Sequence, residues 1–176
     1  MKKILVFIAI IPFLSCAKKH QAKLIQKECC MQNSVNAYMD SCLLFIPNIF
    51  TPNGDGEDDL FMMYGANVAS LKIQVFNKKD QVIFESTNPA FTWDGVQQGG
   101  KWKGETLEGN YKFVFDAVST SGKNIHAESS VGVILDICKY EIEHISNCAW
   151  ATQFDPNSAS GWNSALPPDK SIATCK

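Results

Sequence analysis

The chain has 176 residues, of which 45% are hydrophobic and 19% charged, with a formal net charge of −2. This length allows one folded domain with a good core. All 16 basic residues are lysines. Because phosphate and guanine recognition favour arginine, we do not expect a nucleic-acid partner.

The N-terminus carries the pattern of an export signal. Lys2 and Lys3 precede an apolar run over residues 4–14, which is too short to span a bilayer. The run ends at Ser15 and Cys16, and this ending resembles the cleavage box of bacterial lipoproteins. An ordinary signal peptide is the alternative.

We therefore expect residues 1–15 to be a lipoprotein signal peptide and Cys16 to be lipidated at the outer membrane. Residues 16–42 would form a tether, with a short helix considered over residues 23–38. The sequence leaves open whether the protein faces the periplasm or the cell surface.

Short strand patterns follow one another through residues 43–137, and no helical period interrupts them. Residues 71–76 alternate apolar and polar side chains, as half-buried strands do, and Asn77–Asp80 forms a hairpin turn signal. The fold class predicted is all-β, an immunoglobulin-like β-sandwich of about seven strands. The predicted strands are residues 43–50, 60–64, 71–76, 81–85, 91–93, 111–117 and 131–137.

Seven cysteines are present, and an even number remains if Cys16 is lipidated. An even number in an exported chain favours disulfides, whose connectivity the sequence leaves open. Zinc is the weaker alternative because no C-x-x-C pair occurs. We expect disulfides to hold residues 138–176 as a loop-rich extension, and the candidates are Cys29, Cys30, Cys42, Cys138, Cys148 and Cys175.

The most distinctive segment joins two of the apolar strands through a glycine-rich acidic turn. Asn-Gly and Asp-Gly pairs are typical of tight turns with positive φ. We call residues 50–59 the motif loop; its motif residues are Phe50, Thr51, Pro52, Asn53, Gly54, Asp55, Gly56, Asp58 and Asp59.

Oxygen-bearing side chains stand at every second position of the motif loop. Such side chains can converge on one calcium ion while the glycines supply the bends. The alternative is a solvated turn without metal, and the bidentate glutamate of an EF-hand is missing. The ligands of the candidate calcium site would be Asn53, Asp55, Glu57 and Asp59.

Aromatic residues later in the chain have structural and interfacial interpretations. Trp93, followed by Asp94 and Gly95, is predicted to fill the core above a turn, and Tyr111 is predicted to be a core or corner tyrosine. Trp102, between two lysines in a glycine-rich loop, is either solvated or an interface anchor.

No catalytic constellation is found in the sequence, and an enzyme is not expected. The three histidines lie in unrelated contexts, and neither a nucleophile elbow nor an H-E-x-x-H motif occurs. The histidines are His20, His126 and His144.

The order of the motifs resembles one family. After the motif loop come Ile73-x-Val75-Phe76-Asn77, Val82-x-Phe84-Glu85-Ser86, Trp93-Asp94-Gly95, Gly109-Asn110-Tyr111, Gly122-Lys123 and Gly132-Val133-Ile134-Leu135. This series resembles the gliding motility-associated C-terminal domain, the type B sorting domain of the type IX secretion system in Bacteroidetes. The resemblance covers roughly residues 45–137. The family prefers asparagine where this chain has Asp58, and residues 138–176 follow the matching segment here.

Together with the lipoprotein-like ending at Cys16, the resemblance implies a non-enzymatic outer-membrane lipoprotein that docks to the type IX secretion or gliding apparatus. The implied partner is an outer-membrane β-barrel of the PorP/SprF kind. One alternative is a surface adhesion or glycan-binding module that uses Trp102, Trp150 and Trp162. Another is an atypical secreted type B substrate.

Overall fold

A computed structural model describes residues 35–39, 42–101, 103–106, 108–140, 148–170 and 172 of the chain. These residues form eight strands and two short 3₁₀ helices, Ile137–Lys139 and Ala151–Gln153. In chain order the strands are β1 (Val35–Met39), β2 (Cys42–Ile46), β3 (Ile49–Phe50), β4 (Tyr64–Ala66), β5 (Val68–Phe76), β6 (Val82–Ser86), β7 (Gly109–Ser119) and β8 (Asn124–Val133).

The strands form two sheets. One has three strands in the order β1-β2-β4, and the other has five in the order β3-β8-β7-β5-β6. One buried cluster draws Leu44 and Ile46 from the first sheet and Ile73, Phe113 and other residues from the second. The predicted all-β class with two packed sheets, a β-sandwich, is therefore confirmed.

The apolar run over residues 43–50, predicted as one strand, is divided between the two sheets. Strand β2 pairs with β1 and β4, whereas β3 pairs in parallel with β8, with Ile49 opposite Gly132. Pro47 lies between them, and it has no N–H group to continue a ladder. The chain changes sheets at this proline.

Alternation along β7 is the clearest agreement with the sequence. Tyr111, Phe113, Phe115 and Ala117 are buried and Lys112 is exposed. Each buried side chain faces the other sheet because successive residues of a strand point to opposite faces.

Other predicted boundaries shift. The predicted strands at residues 60–64 and 91–93 reduce to one bridge between Phe61 and Trp93, with β4 beginning only at Tyr64. The last strand runs over Asn124–Val133 and not over residues 131–137. Residues 35–39 are strand, so the helix considered over residues 23–38 is wrong at its C-terminal end. The rest of that segment lies outside the described residues.

The described part of the extension packs against the β3 edge of the sandwich. A second buried cluster joins residues of the sandwich and the extension: Ile49, Ile134, Ile137, Tyr140, Cys148, Trp150 and Ile172. Asn48 adds two hydrogen bonds, because its N–H donates to the Ala149 carbonyl at 3.1 Å and its Oδ1 accepts from the Ala149 N–H at 2.9 Å. The extension therefore continues the fold past β8.

The cysteines only partly follow the prediction. Cys42 has a free thiol that is buried in the main core, so the expected disulfide at this position is wrong; here cysteine acts as a small apolar side chain. Cys138 is disulfide-bonded, but no complete disulfide pair lies within the described residues. Cys148 is buried in the second cluster. The remaining disulfide candidates, Cys29, Cys30 and Cys175, lie outside the described residues, as does the predicted lipidation site Cys16.

Candidate functional site

The motif loop is a turn tied together by one carboxylate. Asp59 accepts hydrogen bonds from the backbone N–H groups of Gly54 at 2.6 Å and Gly56 at 2.7 Å. Both glycines have positive φ, 81° and 90°, which side-chain-bearing residues rarely adopt. The local structure of the turn therefore explains why the chain has glycine at positions 54 and 56 and aspartate at position 59.

The other polar side chains of the turn also bind backbone amides. The Asn53 carbonyl accepts from the Asp55 N–H at 2.9 Å, and the Asp55 carboxylate accepts from the Glu57 N–H at 2.9 Å. These are Asx turns. In the part of the chain that the structure describes, no group of three or more acidic, histidine or cysteine side chains is arranged to hold a metal ion. The arrangement favours the turn interpretation over the predicted calcium site.

An aromatic cluster lies at the base of the motif loop. The Trp93 ring lies 5.6 Å from Phe50, 6.2 Å from Phe61 and 5.9 Å from Tyr111, measured between ring centroids. Its Nε1 donates to the Val96 carbonyl at 2.8 Å, so the indole is buried without losing its hydrogen bond. The cluster holds the first residue of the motif loop against the core.

Gly95 allows the loop to approach this cluster closely. Its φ is +83°, and a Cβ placed there would lie 2.9 Å from Thr106 Cγ2, 3.4 Å from Pro52 and 3.5 Å from Phe50. No larger residue fits without displacement. The motif loop therefore packs directly against Trp93, Asp94 and Gly95, which we call the Trp93 seat.

The extension covers one side of the motif loop. Thr51 Oγ1 donates to the Asp169 carboxylate at 2.6 Å, within the buried interior. The backbone N–H and the hydroxyl of Thr152 donate to the Asp58 carboxylate at 3.1 and 3.2 Å. These contacts join residues 118 and 94 positions apart.

An ion pair completes the cover. The Lys170 ammonium group binds the Glu57 carboxylate, and the Lys170 backbone N–H donates to the same carboxylate at 3.3 Å. The Lys170 side chain is 79% exposed, so the pair lies at the rim of the contact and is screened by solvent.

Burial raises the pKa values of Asp58 and Tyr64, which lie beside this contact. Burial raises the pKa of Asp58 from its ordinary value of 3.8 to about 6, with a further rise from the charge of Asp169, although the hydrogen bonds from Thr152 oppose the shift. Burial and the nearby Asp58 charge raise the pKa of Tyr64 to about 12. The loop thus holds a carboxylate whose ionisation is costly.

Aromatic residues considered as ligand contacts lie in different environments. Trp150 is fully buried in the second cluster and is unavailable to a glycan. Trp162 is half-buried, and its Nε1 donates to Gln153 at 3.0 Å. Trp102 lies outside the described residues.

The hairpin tip between β5 and β6 carries two lysines. Lys78 and Lys79 are both exposed there.

The one histidine within the described residues is not part of a pocket near the loop. His126 Nδ1 lies 2.6 Å from Asp116 on the exposed face of the five-stranded sheet, and this hydrogen bond raises the pKa of His126. His20 and His144 lie outside the described residues. The pattern is that of a solvated cross-strand pair.

Sequence reasoning missed the three residues of the extension that cover the loop. Thr152, Asp169 and Lys170 stand in segments without strand or helix periodicity, and no local motif links them to the motif loop. The only signal was general: the extension contains apolar and cysteine residues that a solvated tail would not need.

Among the described residues, no helical segment has the length and hydrophobicity that a membrane span requires. A search of curated proteins gives no match. The family model described as the CHU_C type IX secretion signal domain matches residues 44–134, just over half of the chain. The match contains the motif loop, the Trp93 seat and strands β4 to β8. The chain therefore belongs to the family of type IX secretion signal domains.

Proposed function

We propose that this protein is a non-enzymatic outer-membrane lipoprotein that acts as a binding component of the type IX secretion or gliding apparatus. The family match over residues 44–134 is the observation that carries the proposal. The lipoprotein-like ending at Cys16 supports membrane anchoring. The partner proposed is an outer-membrane β-barrel of the PorP/SprF kind, because the family resemblance implies one.

The proposed contact is the tip of the motif loop. Residues 53–56 are exposed, whereas Thr51 and Asp58 are buried under the extension. The Asx turns and the Asp59 carboxylate pre-organise the tip, which reduces the entropy lost on binding.

The proposal also covers the type of sandwich and the disulfides of the extension. We propose that the two sheets form an immunoglobulin-like sandwich and that disulfides, including that of Cys138, hold the extension to it. Peptide mapping of the protein under non-reducing conditions tests the disulfides, since a Cys138 recovered only as a free thiol would contradict them.

Affinity purification from detergent-solubilised membranes tests the docking. The tagged native protein is purified and the proteins that accompany it are identified by mass spectrometry. We expect a stoichiometric outer-membrane β-barrel or translocon subunit. Recovery of the lipoprotein alone would contradict the proposal.

A matched pair of variants tests the contact. Asn53 and Asn88 are both exposed, and each accepts a hydrogen bond from the N–H two residues later. Asn53→Ala should reduce barrel recovery about tenfold, the effect of losing about 1.4 kcal/mol of binding free energy. Asn88→Ala should leave recovery unchanged. Equal recovery in both variants would rule out the loop tip as the contact.

Lipidation needs its own test. Metabolic labelling with a lipid precursor should label the wild-type protein but not Cys16→Ser. If both proteins remain unlabelled, the chain is not a lipoprotein and the proposal of an anchored component fails.

A further inference from the structure

We propose that Thr51, Glu57 and Asp58 form a peptide-binding surface on the motif loop and that its occupant is the chain's own extension. The extension thereby masks this side of the loop, and an outside partner reads only residues 53–56 until the extension leaves. The inference rests on the proposed function, which it deepens by defining what a partner can reach.

The chemistry of the two sides is complementary. The loop offers two carboxylates and one hydroxyl group, and the extension offers an ammonium group, two backbone N–H groups, a hydroxyl group and one carboxylate. Each is used: Lys170 binds Glu57, Thr152 binds Asp58 through two donors, and Thr51 donates to Asp169. Each of these groups therefore has a hydrogen-bond or ion-pair partner across the contact.

Burial makes Thr51 and Asp58 inaccessible while the extension is in place, whereas the Glu57 side chain, paired with Lys170, keeps 25% of its surface exposed. Thr51 and Asp169 each have 1% of their surface exposed, and Asp58 has 8%. A partner cannot touch these groups without displacing the extension. By contrast, Asn53 to Gly56 are exposed in the same loop.

The contact has an apolar part and a polar part of different strength. Trp150 and Ile172 are buried against Ile49 and Ile134 at the β3 edge, and burial of such side chains is strongly stabilising. At the loop, the contact instead consists of hydrogen bonds and an ion pair whose Lys170 side chain is 79% exposed, and the charge of Asp169 also repels that of Asp58. The polar part can therefore open locally while the apolar part holds.

Carboxyl footprinting of the full-length protein tests the mask without altering the loop. A carbodiimide couples glycine ethyl ester to accessible carboxylates, and mass spectrometry gives the labelling rate at each position. In wild-type protein, Asp55 at the exposed tip should label at least tenfold faster than Asp58.

The test variant combines Thr152→Val, Asp169→Ala and Lys170→Ala, which removes the side-chain contacts of the extension with the loop. The control combines Lys139→Ala and Ser164→Ala, two exposed positions of the extension. Because each lost buried hydrogen bond changes an opening equilibrium about tenfold, Asp58 should label about 10- to 100-fold faster in the test variant. The control should match wild type.

The same labelling in native membranes measures what a partner covers. In wild type, membranes should protect Asp55 alone, compared with purified protein in detergent. In the test variant, membranes should also protect Glu57 and Asp58. Circular dichroism confirms that the variants remain folded, and if the triple variant is unfolded, Lys170→Ala alone is used with the same readout at Glu57.

The outcomes separate the two proposals. The proposal that the extension masks the loop would be overturned if Asp58 labels as fast as Asp55 in wild type, or if the labelling rate of Asp58 is unchanged in the test variant. Released Glu57 and Asp58 that membranes never protect would also overturn it, because nothing would then be masked. Absence of protection at Asp55 in wild-type membranes would instead count against docking through the loop tip, whatever Asp58 shows.

Discussion

Replacing Asp58 with asparagine tests how much the buried carboxylate costs the folded protein. Burial raises the pKa of Asp58 from 3.8 to about 6. The folded state therefore binds this proton more tightly than the unfolded state, so that stability falls as the pH rises from about 4 through 6 and levels off above. About two pKa units correspond to about 3 kcal/mol.

Asparagine carries no charge and keeps one acceptor oxygen for the Thr152 N–H, while its NH₂ group can donate to the Thr152 hydroxyl in place of the second carboxylate oxygen. Asp58 has φ +48°, a conformation that asparagine also tolerates. We therefore expect Asp58→Asn to stabilise the protein by about 1–3 kcal/mol at pH 7.5, with the gain smaller by about 2 kcal/mol at pH 4.5. Asparagine is also the residue that the resembling family prefers at this position.

Urea denaturation of the chain lacking residues 1–16, at pH 4.5, 6 and 7.5, measures this difference. Asp80 provides the matched control, because it has φ +55° but is exposed at a hairpin tip. Asp80→Asn reports the effect of asparagine at positive φ alone and should change stability by less than about 0.5 kcal/mol. An Asp58→Asn protein that is less stable at pH 7.5, or whose gain is the same at all three pH values, would refute the reasoning.

Three further predictions concern the seat and the surroundings of the loop. Trp93→Ala should lower the free energy of unfolding by about 3–5 kcal/mol, measured by chemical denaturation, because it empties a fully buried aromatic site. Gly95→Ala should cost about 1–3 kcal/mol in the same assay through strain and crowding, and more than Gly122→Ala, since Gly122 has a similar φ of +82° with open space around it. Ultraviolet titration should place the pKa of Tyr64 near 12, and Asp58→Asn should lower this pKa because a repelling charge is removed.

Each of these has an opposing result. A Trp93→Ala protein that loses less than about 1 kcal/mol would show that the cluster is not well packed. Equal losses at the two glycines would show that crowding at Gly95 is unimportant. A Tyr64 pKa that does not change in Asp58→Asn would show that the Asp58 charge has no measurable effect on Tyr64.

Much of the sandwich could be predicted from local patterns. The alternation in β7 predicts that Tyr111, Phe113, Phe115 and Ala117 all face the core, because successive side chains of a strand point to opposite faces of the sheet. The hairpin at Asn77–Asp80 and the tight bends at Gly54 and Gly56 follow from turn chemistry in the same way. Family membership was likewise readable, because it lies in the order of such motifs.

The candidate site was only half predictable. The sequence identifies the motif loop and the Trp93 seat, whose residues are close in the chain or belong to recognisable motifs. The change of sheet at Pro47 needed the structure, because an apolar run does not state which strand it will pair with. Cys42 similarly needed the structure, since a cysteine in an exported chain looks the same whether it is bonded or buried as a thiol.

By itself, then, the sequence determined the all-β class, the inward faces of the strands, the internal turns of the motif loop and the family. Only the tertiary structure decided that Thr152, Asp169 and Lys170 cover that loop and that Asp58 is buried beneath them. The physical reason is range: backbone sterics and side-chain period act over a few residues, whereas the pairing of Asp58 with Thr152 joins positions 94 residues apart. Such a contact depends on the packing of Trp150 and Ile172 with Ile49 of β3 in one buried cluster, and that apolar surface exists only in the folded sandwich.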